Sequence, residues 1–375
     1  MGNVVHRFKI KKPAFGPQQK NKQEQEQIMK QTQNLSTKTQ TPSALAEKIA
    51  APPVCPGRAF SGGLVAQAGV LALLLGLPLG ASRLTAGEPP HYQFIEIPIA
   101  VEAEAVGIND NGLVSGYYGN FSGDPTMGGV FSFLYERGVL TTGIAAPGAP
   151  ITSVGGANDR GLESGNWGNE TNQQAGFYDI RRGTFTALPG IPGMPLNFSD
   201  GINDFGHASG VAYASGSWSN GGNGLGMNWI WDGENYHFFT VPGAVNGALA
   251  GGINNRDQVT GYFVDSSGLP QGFVKDGDKY TTLDVPGAIY TLASGINNQG
   301  TVVGSYLDAS GNHGYIWSKG EFVTVDAAIP GAVGTGWFYI NEHGDLAGTY
   351  GDASGVFHAV IGLRADGEGN GDCHK

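Results

Sequence analysis

A ten-residue phrase returns six times along this chain, and that repetition limits the fold more than any other property of the sequence. It reads GINDNGLVSG at 107–116, GANDRGLESG at 156–165 and GINDFGHASG at 201–210. It then returns as GINNRDQVTG at 252–261, GINNQGTVVG at 295–304 and YINEHGDLAG at 339–348. Successive copies start 49, 45, 51, 43 and 44 residues apart, and Asn109, Asn158, Asn203, Asn254, Asn297 and Asn341 are one Asn repeated. Asn bonds its own backbone two residues on, and Gly tolerates positive φ, so the phrase is the centre of a hairpin. A strand precedes it (TLASGI at 291–296) and another follows (TVVGSY at 301–306). A polar turn, often D-x-S-G, leads to an aromatic strand such as GYIW at 314–317. After a second turn a fourth strand ends in Pro-Gly-Ala, as in YTTLDVPGA at 280–288. Four short antiparallel strands with a period in the mid-forties match a β-propeller blade. Solenoid coils are shorter, and paired sandwiches require no such repetition.

The two ends of the repeat region fit each other. The sixth unit stops after its third strand, VFHAVI at 356–361, and lacks a fourth. YQFIEIPIA at 92–100 matches YTTLDVPGA at 280–288 Tyr to Tyr, acid to acid and Pro to Pro. The expectation is an all-β, six-bladed β-propeller of four-stranded antiparallel blades over 91–363, closed by an N-terminal strand that completes the last blade and hides two sheet edges. Composition agrees: 63 of 375 residues are Gly, which disfavours helix, and 40% are hydrophobic, enough for a core.

Ahead of the repeats lie two segments of different character. Residues 1–61 are basic and Gln-rich, with 10 Lys+Arg against 3 Asp+Glu, and are expected to be a disordered leader or a mis-assigned start. Residues 62–82 carry an uncharged run with Arg58 upstream and small residues at its end, the pattern of a signal peptide or of a signal anchor. Export to the periplasm, cell surface or medium is therefore expected, with membrane attachment only through this leader if it is retained. The remaining chain holds 11 basic and 29 acidic residues, which disfavours phosphate backbones and makes a nucleic-acid partner an unsuitable one. Cys55 and Cys373 flank the repeats and rule out a disulfide framework or a C-x-x-C site within them. Residues 364–375 are expected to be a disordered acidic tail.

The phrases G-I-N-[DN]-x-G-x-x-x-G, H-[AG]-[FY] and D-V-P-G-A resemble the extracellular HAF-repeat proteins of bacteria, over about residues 91–363. His313 and His358 match the naming motif best, while Gln271 and Ala175 stand for the His in other copies. The resemblance implies an exported repeat protein and supplies no catalytic residue.

Chemistry is sparse. No Ser lies in G-x-S-x-G, no phosphate loop is present, and the eight His do not cluster at metal spacing. No cofactor or metal is expected. Glu163 stands where other copies place Val114, Ala208, Val259, Val302 and Leu346, which makes it the one weak catalytic candidate. Tyr118, Trp167, Tyr306 and Tyr350 recur two residues after the phrase, as does Phe263, and Trp218 lies in the Gly/Ser/Asn-rich insertion at 211–228. These rings are the candidate ligand-binding residues. The expectation is a monomeric binding module for a glycan or protein partner, with a lyase or hydrolase working at the channel mouth through Glu163 as the alternative.

Overall fold

The repeated Asn makes two sets of hydrogen bonds, one inside its hairpin and one outside it. In the computed structural model, which describes residues 90–119, 129–169, 171–214, 226–245 and 247–365, Asn109 Oδ1 accepts the N–H groups of Asn111 and Leu113 at 3.1 and 3.0 Å. Gly112 closes the turn by donating to Asn109 O at φ +78°. Gly takes this left-handed position in five copies and Asp257, at φ +56°, in the other, one of the few residue types that enters it at modest cost. The Asn Nδ2 group leaves the hairpin and donates to the backbone carbonyl of the next Asn. Asn109 bonds Asn158, Asn158 bonds Asn203, Asn203 bonds Asn254, Asn254 bonds Asn297, Asn297 bonds Asn341, and Asn341 returns to Asn109, at 2.9–3.2 Å throughout.

Among the described residues the chain is all strand. β1 (Tyr92–Glu96) comes first. The first unit is β2 (Ala103–Ile108), β3 (Val114–Gly119), β4 (Val130–Glu136) and β5 (Val139–Ile144). The second is β6 (Ile151–Ala157), β7 (Leu162–Asn169), β8 (Asn172–Asp179) and β9 (Thr184–Ala187). β10 (Leu196–Ile202), β11 (Ala208–Tyr213), β12 (Met227–Trp231) and β13 (Tyr236–Phe239) form the third. β14 (Ala248–Ile253), β15 (Val259–Val264), β16 (Pro270–Asp276) and β17 (Lys279–Leu283) form the fourth. The fifth holds β18 (Tyr290–Ile296), β19 (Val302–Leu307), β20 (Asn312–Ser318) and β21 (Glu321–Thr324). The last is β22 (Ala332–Ile340), β23 (Leu346–Asp352) and β24 (Phe357–Arg364), with β1 as its fourth strand, paired antiparallel from Tyr92↔Arg364 to Glu96↔Val360.

Large side chains lie against small ones between the strands. A Cβ on Gly116, the last residue of the first phrase, would stand 2.6 Å from the Phe133 ring and 2.1 Å from Glu104 O, so only Gly fits there. β1 joins the core through Phe94, stacked 5.9 Å from Trp337, and the residue after it, Ile97, is buried in one cluster with Ala359 and Ile361.

Six separate four-stranded sheets are not what the pairing gives. Three four-stranded sheets accompany one twelve-stranded sheet, in which the first three units are joined. The joints are single parallel pairings, Val130↔Ile151 and Leu196↔Gln173, made where a short linker lays the start of one unit beside the third strand of the unit before. The expected leader at 1–61, the hydrophobic segment at 62–82, Trp218 and residues 366–375 fall outside the described residues. Among the described residues no helix is long and apolar enough to cross a membrane.

Two outcomes follow for stability. Asn158→Asp keeps the oxygen that serves Arg160 and Leu162 but loses the donor to Asn203 O. Asn203 O keeps the Gly206 N–H, so the loss is that of one hydrogen bond, about 0.5–1.5 kcal/mol. Urea unfolding should show a lower midpoint, and Asn158→Ala a lower one still, because the turn N–H groups then lose their acceptor as well. Equal losses would mean the turn bonds contribute nothing. Deleting residues 90–97 exposes the edge of β24, and light scattering during a thermal melt should report aggregation or a non-cooperative transition. A monomer with unchanged Tm would contradict the role given to β1.

Candidate functional site

The first strand of every unit is bulged just before the phrase. Pairing steps from Ala105 to Gly107, Val154 to Ala157, Ser199 to Gly201, Ala250 to Ile253, Ala293 to Gly295 and Trp337 to Tyr339. A bulge re-aims the side chain it leaves unpaired. The skipped residues include Val106, Gly155, Asp200, Gly251, Ser294 and Phe338, and all six line one cavity. Tyr117, Asn166, Tyr262 and Ser305 extend its wall from the second strands. The space open to the centres of water-sized molecules is about 60 Å³. At roughly 10–15 Å³ per water this holds about four to six waters, the bulk of one small polar ring.

Tyr339 closes the phrase end of this cavity. Five copies of the phrase begin with Gly, and the sixth begins with Tyr339. Its hydroxyl donates to Ile202 O at 3.3 Å and accepts from Ile202 N at 3.4 Å, on β10. A Cβ on Gly156 would lie 2.1 Å from that hydroxyl, so the ring passes over a glycine. Tyr339 also lines a second recess, on the far side, formed by the phrase turns. There a second cycle of bonds runs outside the Asn cycle, in which Asp110, Asp159, Asp204, Asn255, Asn298 and Glu342 each donate a backbone N–H to the side-chain oxygen of the next at 2.5–3.0 Å. Burial raises the carboxyls of Asp159 and Glu342, and the neighbouring acids of the cycle add to it.

Asp200 is the charged member of the bulge column. Asp200 is half-buried on the cavity wall, and its Oδ2 is buried without a hydrogen-bond partner. Burial pushes the carboxyl up to about 8, so near neutral pH it is largely a neutral acid that both donates and accepts. Burial holds the phenols of Tyr117, Tyr213, Tyr262 and Tyr339 above their ordinary range, and Asp200, ionised at the high pH where they titrate, adds to it. Ser199 Oγ, also on the wall, is buried without a partner. Behind Tyr117 lies Glu104, which accepts the Tyr117 hydroxyl and is itself pushed to about 8 by burial.

The candidates named from the sequence lie elsewhere. Tyr306 and Tyr350 are buried and stack on His313 and His358 at 5.2 and 4.7 Å, with their hydroxyls on Thr324 and Glu96, both 2.8 Å. Tyr118 is half-buried and accepts Gly143 N–H at 3.0 Å, while Trp167 sits edge-on to Phe185 at 5.2 Å. None of these rings lines the cavity. Side chains alternate along a strand, so the residue one place after the phrase (Tyr117, Asn166, Tyr262, Ser305) faces the cavity and the residue two places after faces away. His313 is held between Asp326 at 2.8 Å and Asp308 at 3.4 Å, and His358 between Asp352 at 3.2 Å and Glu96 at 3.4 Å. Gln174, not Ala175, is the residue opposite Trp167 and so takes the place of that His in the second unit.

Glu163 is fully buried in β7, away from the cavity wall, and neither carboxylate oxygen is partnered. It pairs with Ala157, where the other units pair Ile108, Ile202, Ile253, Ile296 and Ile340 with their apolar residue. The small Ala makes the room that Glu163 fills. Burial pushes its carboxyl from 4.5 to about 8. The folded chain therefore holds a proton that the unfolded chain releases, and this contribution is complete below about 4.5 and lost as pH rises toward 8. Ala157→Ile combined with Glu163→Val restores the common pair. Differential scanning calorimetry should show a Tm about 4 °C or more above wild type at pH 8.5 and a smaller gain at pH 5. A gain that does not change with pH would exclude the buried charge as its source.

No family model matches this chain, and no curated protein does. Solved structures with a similar chain path include the fucose-specific lectin from Aleuria aurantia, at 11% identity over 72% of this chain and 100% of that one, TM-score 0.45. The β-propeller domain of the Trilobed protease from Pyrococcus furiosus matches at 12% identity over 71% and 80%, TM-score 0.44. The gluconolactonase XC5397 from Xanthomonas campestris matches at 11% over 77% and 99%, TM-score 0.46. At that level of similarity none of the three transfers a ligand or a reaction to this chain.

Proposed function

We propose that the chain is a closed six-bladed β-propeller, completed by β1, that acts as an exported binding module and takes the end of a glycan into its blind central cavity. The closed Asn cycle and the pairing of β1 with β24 support the closure. The repeat phrases resembling extracellular HAF-repeat proteins support the export. Asp200 carries the ligand assignment: a neutral carboxyl on the wall of a cavity with room for about one small ring matches a ligand that offers hydroxyls as both donors and acceptors. Ser294, Ser305 and Asn166 add polar positions, and Tyr262 and Phe338 offer faces for the apolar side of a sugar ring. The lyase or hydrolase alternative through Glu163 draws no support from a carboxyl sealed away from this wall.

Isothermal titration with a panel of neutral monosaccharides tests the assignment. Asp200→Val should weaken the ligand by about tenfold or more, the scale of a strong hydrogen-bonding pair lost from an enclosed site. Asp200→Asn, which keeps one donor and one acceptor, should bind at pH 7 and remove the loss of affinity that wild type shows as pH rises past about 8. A panel without any binder, or a folded Asp200→Val variant with unchanged affinity, would sink the assignment.

A further inference from the structure

The loop that leads into each unit's first strand ends on an apolar residue at one repeated position. Pro-Gly-Ala, or its variant, is followed by Val101, Pro150, Pro195, Val245, Ile289 and Val333. All but the half-buried Ile289 are exposed, and Val101, Val245 and Val333 keep 50%, 50% and 64% of their surface open. Those three make up half of the exposed large hydrophobics among the described residues. The loops are held from below. The residue before the Pro is buried in Ile97, Ala146, Val241 and Val285. Ala288 N–H closes the turn on Val285 O at 3.0 Å, and Val285 N–H donates to Thr291 Oγ1 at 2.9 Å. Stiffness at a strand start does not account for Val there, since Thr has the same branch and exposes a hydroxyl in place of a methyl. The first strands line the central cavity and run from these residues toward the phrase turns, so the six stand round its mouth, at the end opposite Tyr339.

Charge is sorted along the same axis. Among the described residues every Lys and Arg lies at the phrase end, in a phrase turn like Arg160 and Arg256, or about the third-to-fourth-strand turn like Arg181 and Lys319, or at the end of β24 as Arg364 does. The mouth end carries Asp284, Asp326 and Glu96 ahead of the Pro loops and Asp265, Asp308 and Asp352 in the D-x-S-G turns. The hydroxyls of Ser267, Ser310 and Ser354 hold the last three below the ordinary carboxylate range, so they are ionised at neutral pH. An exposed apolar set rimmed by charge of one sign marks an interaction surface, and the charge selects the partner. Two copies set mouth to mouth would bring acid against acid. We propose that the mouth face docks a basic polypeptide segment, its apolar side chains packed on the Val and Pro ring and its Lys or Arg groups over the surrounding carboxylates. The anchored loops hold the ring ready, which lowers the ordering cost of docking. None of the six ring residues belongs to the cavity wall, so this surface is separate from the proposed glycan site.

Fluorescence anisotropy of labelled amphipathic peptides added to the full chain tests this face. The probes are a Leu/Lys peptide, its Leu/Glu counterpart and a Ser/Lys counterpart of the same charge. The Leu/Lys peptide should bind at least about tenfold more tightly than either of the others, the scale of one apolar side chain buried. Its affinity should fall as salt rises. Val101→Ser, Val245→Ser and Val333→Ser combined should bring Leu/Lys binding down to the Ser/Lys level. Val139→Ser with Phe205→Ser, which removes exposed apolar groups at the phrase end, should leave it unchanged. Asp200→Val should also bind the peptide as wild type does, so failure of the glycan assignment is seen separately. No Leu/Lys binding, equal binding of Leu/Glu, affinity indifferent to salt, unchanged binding in the folded triple variant, or an equal loss in the phrase-end variant would each overturn the proposal. Sedimentation showing that the chain pairs with itself, and that the triple variant does not, would overturn it in favour of a second copy.

Discussion

One carboxamide per unit organises this molecule. Its oxygen completes a hairpin turn, and its nitrogen reaches the backbone of the next hairpin, so local and long-range order come from the same side chain. An apolar residue does neither, and Asp does only the first. The position after it obeys a looser rule. Asp110, Asp159, Asp204, Asn255, Asn298 and Glu342 differ in charge and length, yet each presents an oxygen to a backbone N–H of its neighbour. What is required there is an acceptor oxygen, on either a neutral carboxamide or a carboxylate. The cost appears in Asp159 and Glu342, whose carboxyls burial and mutual repulsion both raise.

Against that repeated frame, the bulges give each unit one independent residue. The ladder residues on either side must fit between strands, as Gly116 does under Phe133. The bulged residue faces an opening, though at Gly155 and Gly251 a Cβ would stand 2.5 Å from Asp200 O and 2.9 Å from Ser294 O. Val, Asp, Ser and Phe share this column with two glycines that backbone contacts keep small. Chemistry is concentrated in the variable column because the constant ones are occupied with packing.

That division also explains how much of the molecule was legible beforehand. The repeat, the Asn turn, the four strands and the transfer of residues 92–100 to the last unit all depend on recurring residues, and a single chain displays recurrence directly. The cavity residues are the ones that do not recur. Glu163 was visible as a charge in an apolar column, but its partner Ala157, in the same phrase, shows it to be half of a volume exchange. Asp200, one residue ahead of a phrase, was equally odd beside Val106 and Gly155, yet nothing in the sequence marks a bulge, and without the bulge that column has no common direction. The aromatic column stands one residue past the one that lines the cavity. In a structure with period two, that step turns every ring to the other face. Sheet joining was illegible for a different reason, since single pairings such as Val130↔Ile151 depend on how a linker lies rather than on which residues it contains.

Tyr339 makes the number of units matter. It departs from a unit whose Asn is the sixth in the cycle and bonds a strand whose Asn is the third, three steps away in either direction. A repeat gene grows and shrinks by whole units, and most such changes keep every neighbour-to-neighbour contact. This bond runs straight across, and a duplication or loss on one side moves Ile202 out of its reach. It also joins the sixth unit to the third, while β1, made before all six, waits for β24. During translation the six hairpins can each form as they emerge, but the floored pocket exists only in the completed chain. A Tyr where the other five phrases have Gly closes a compartment and ties the fold to its present repeat number.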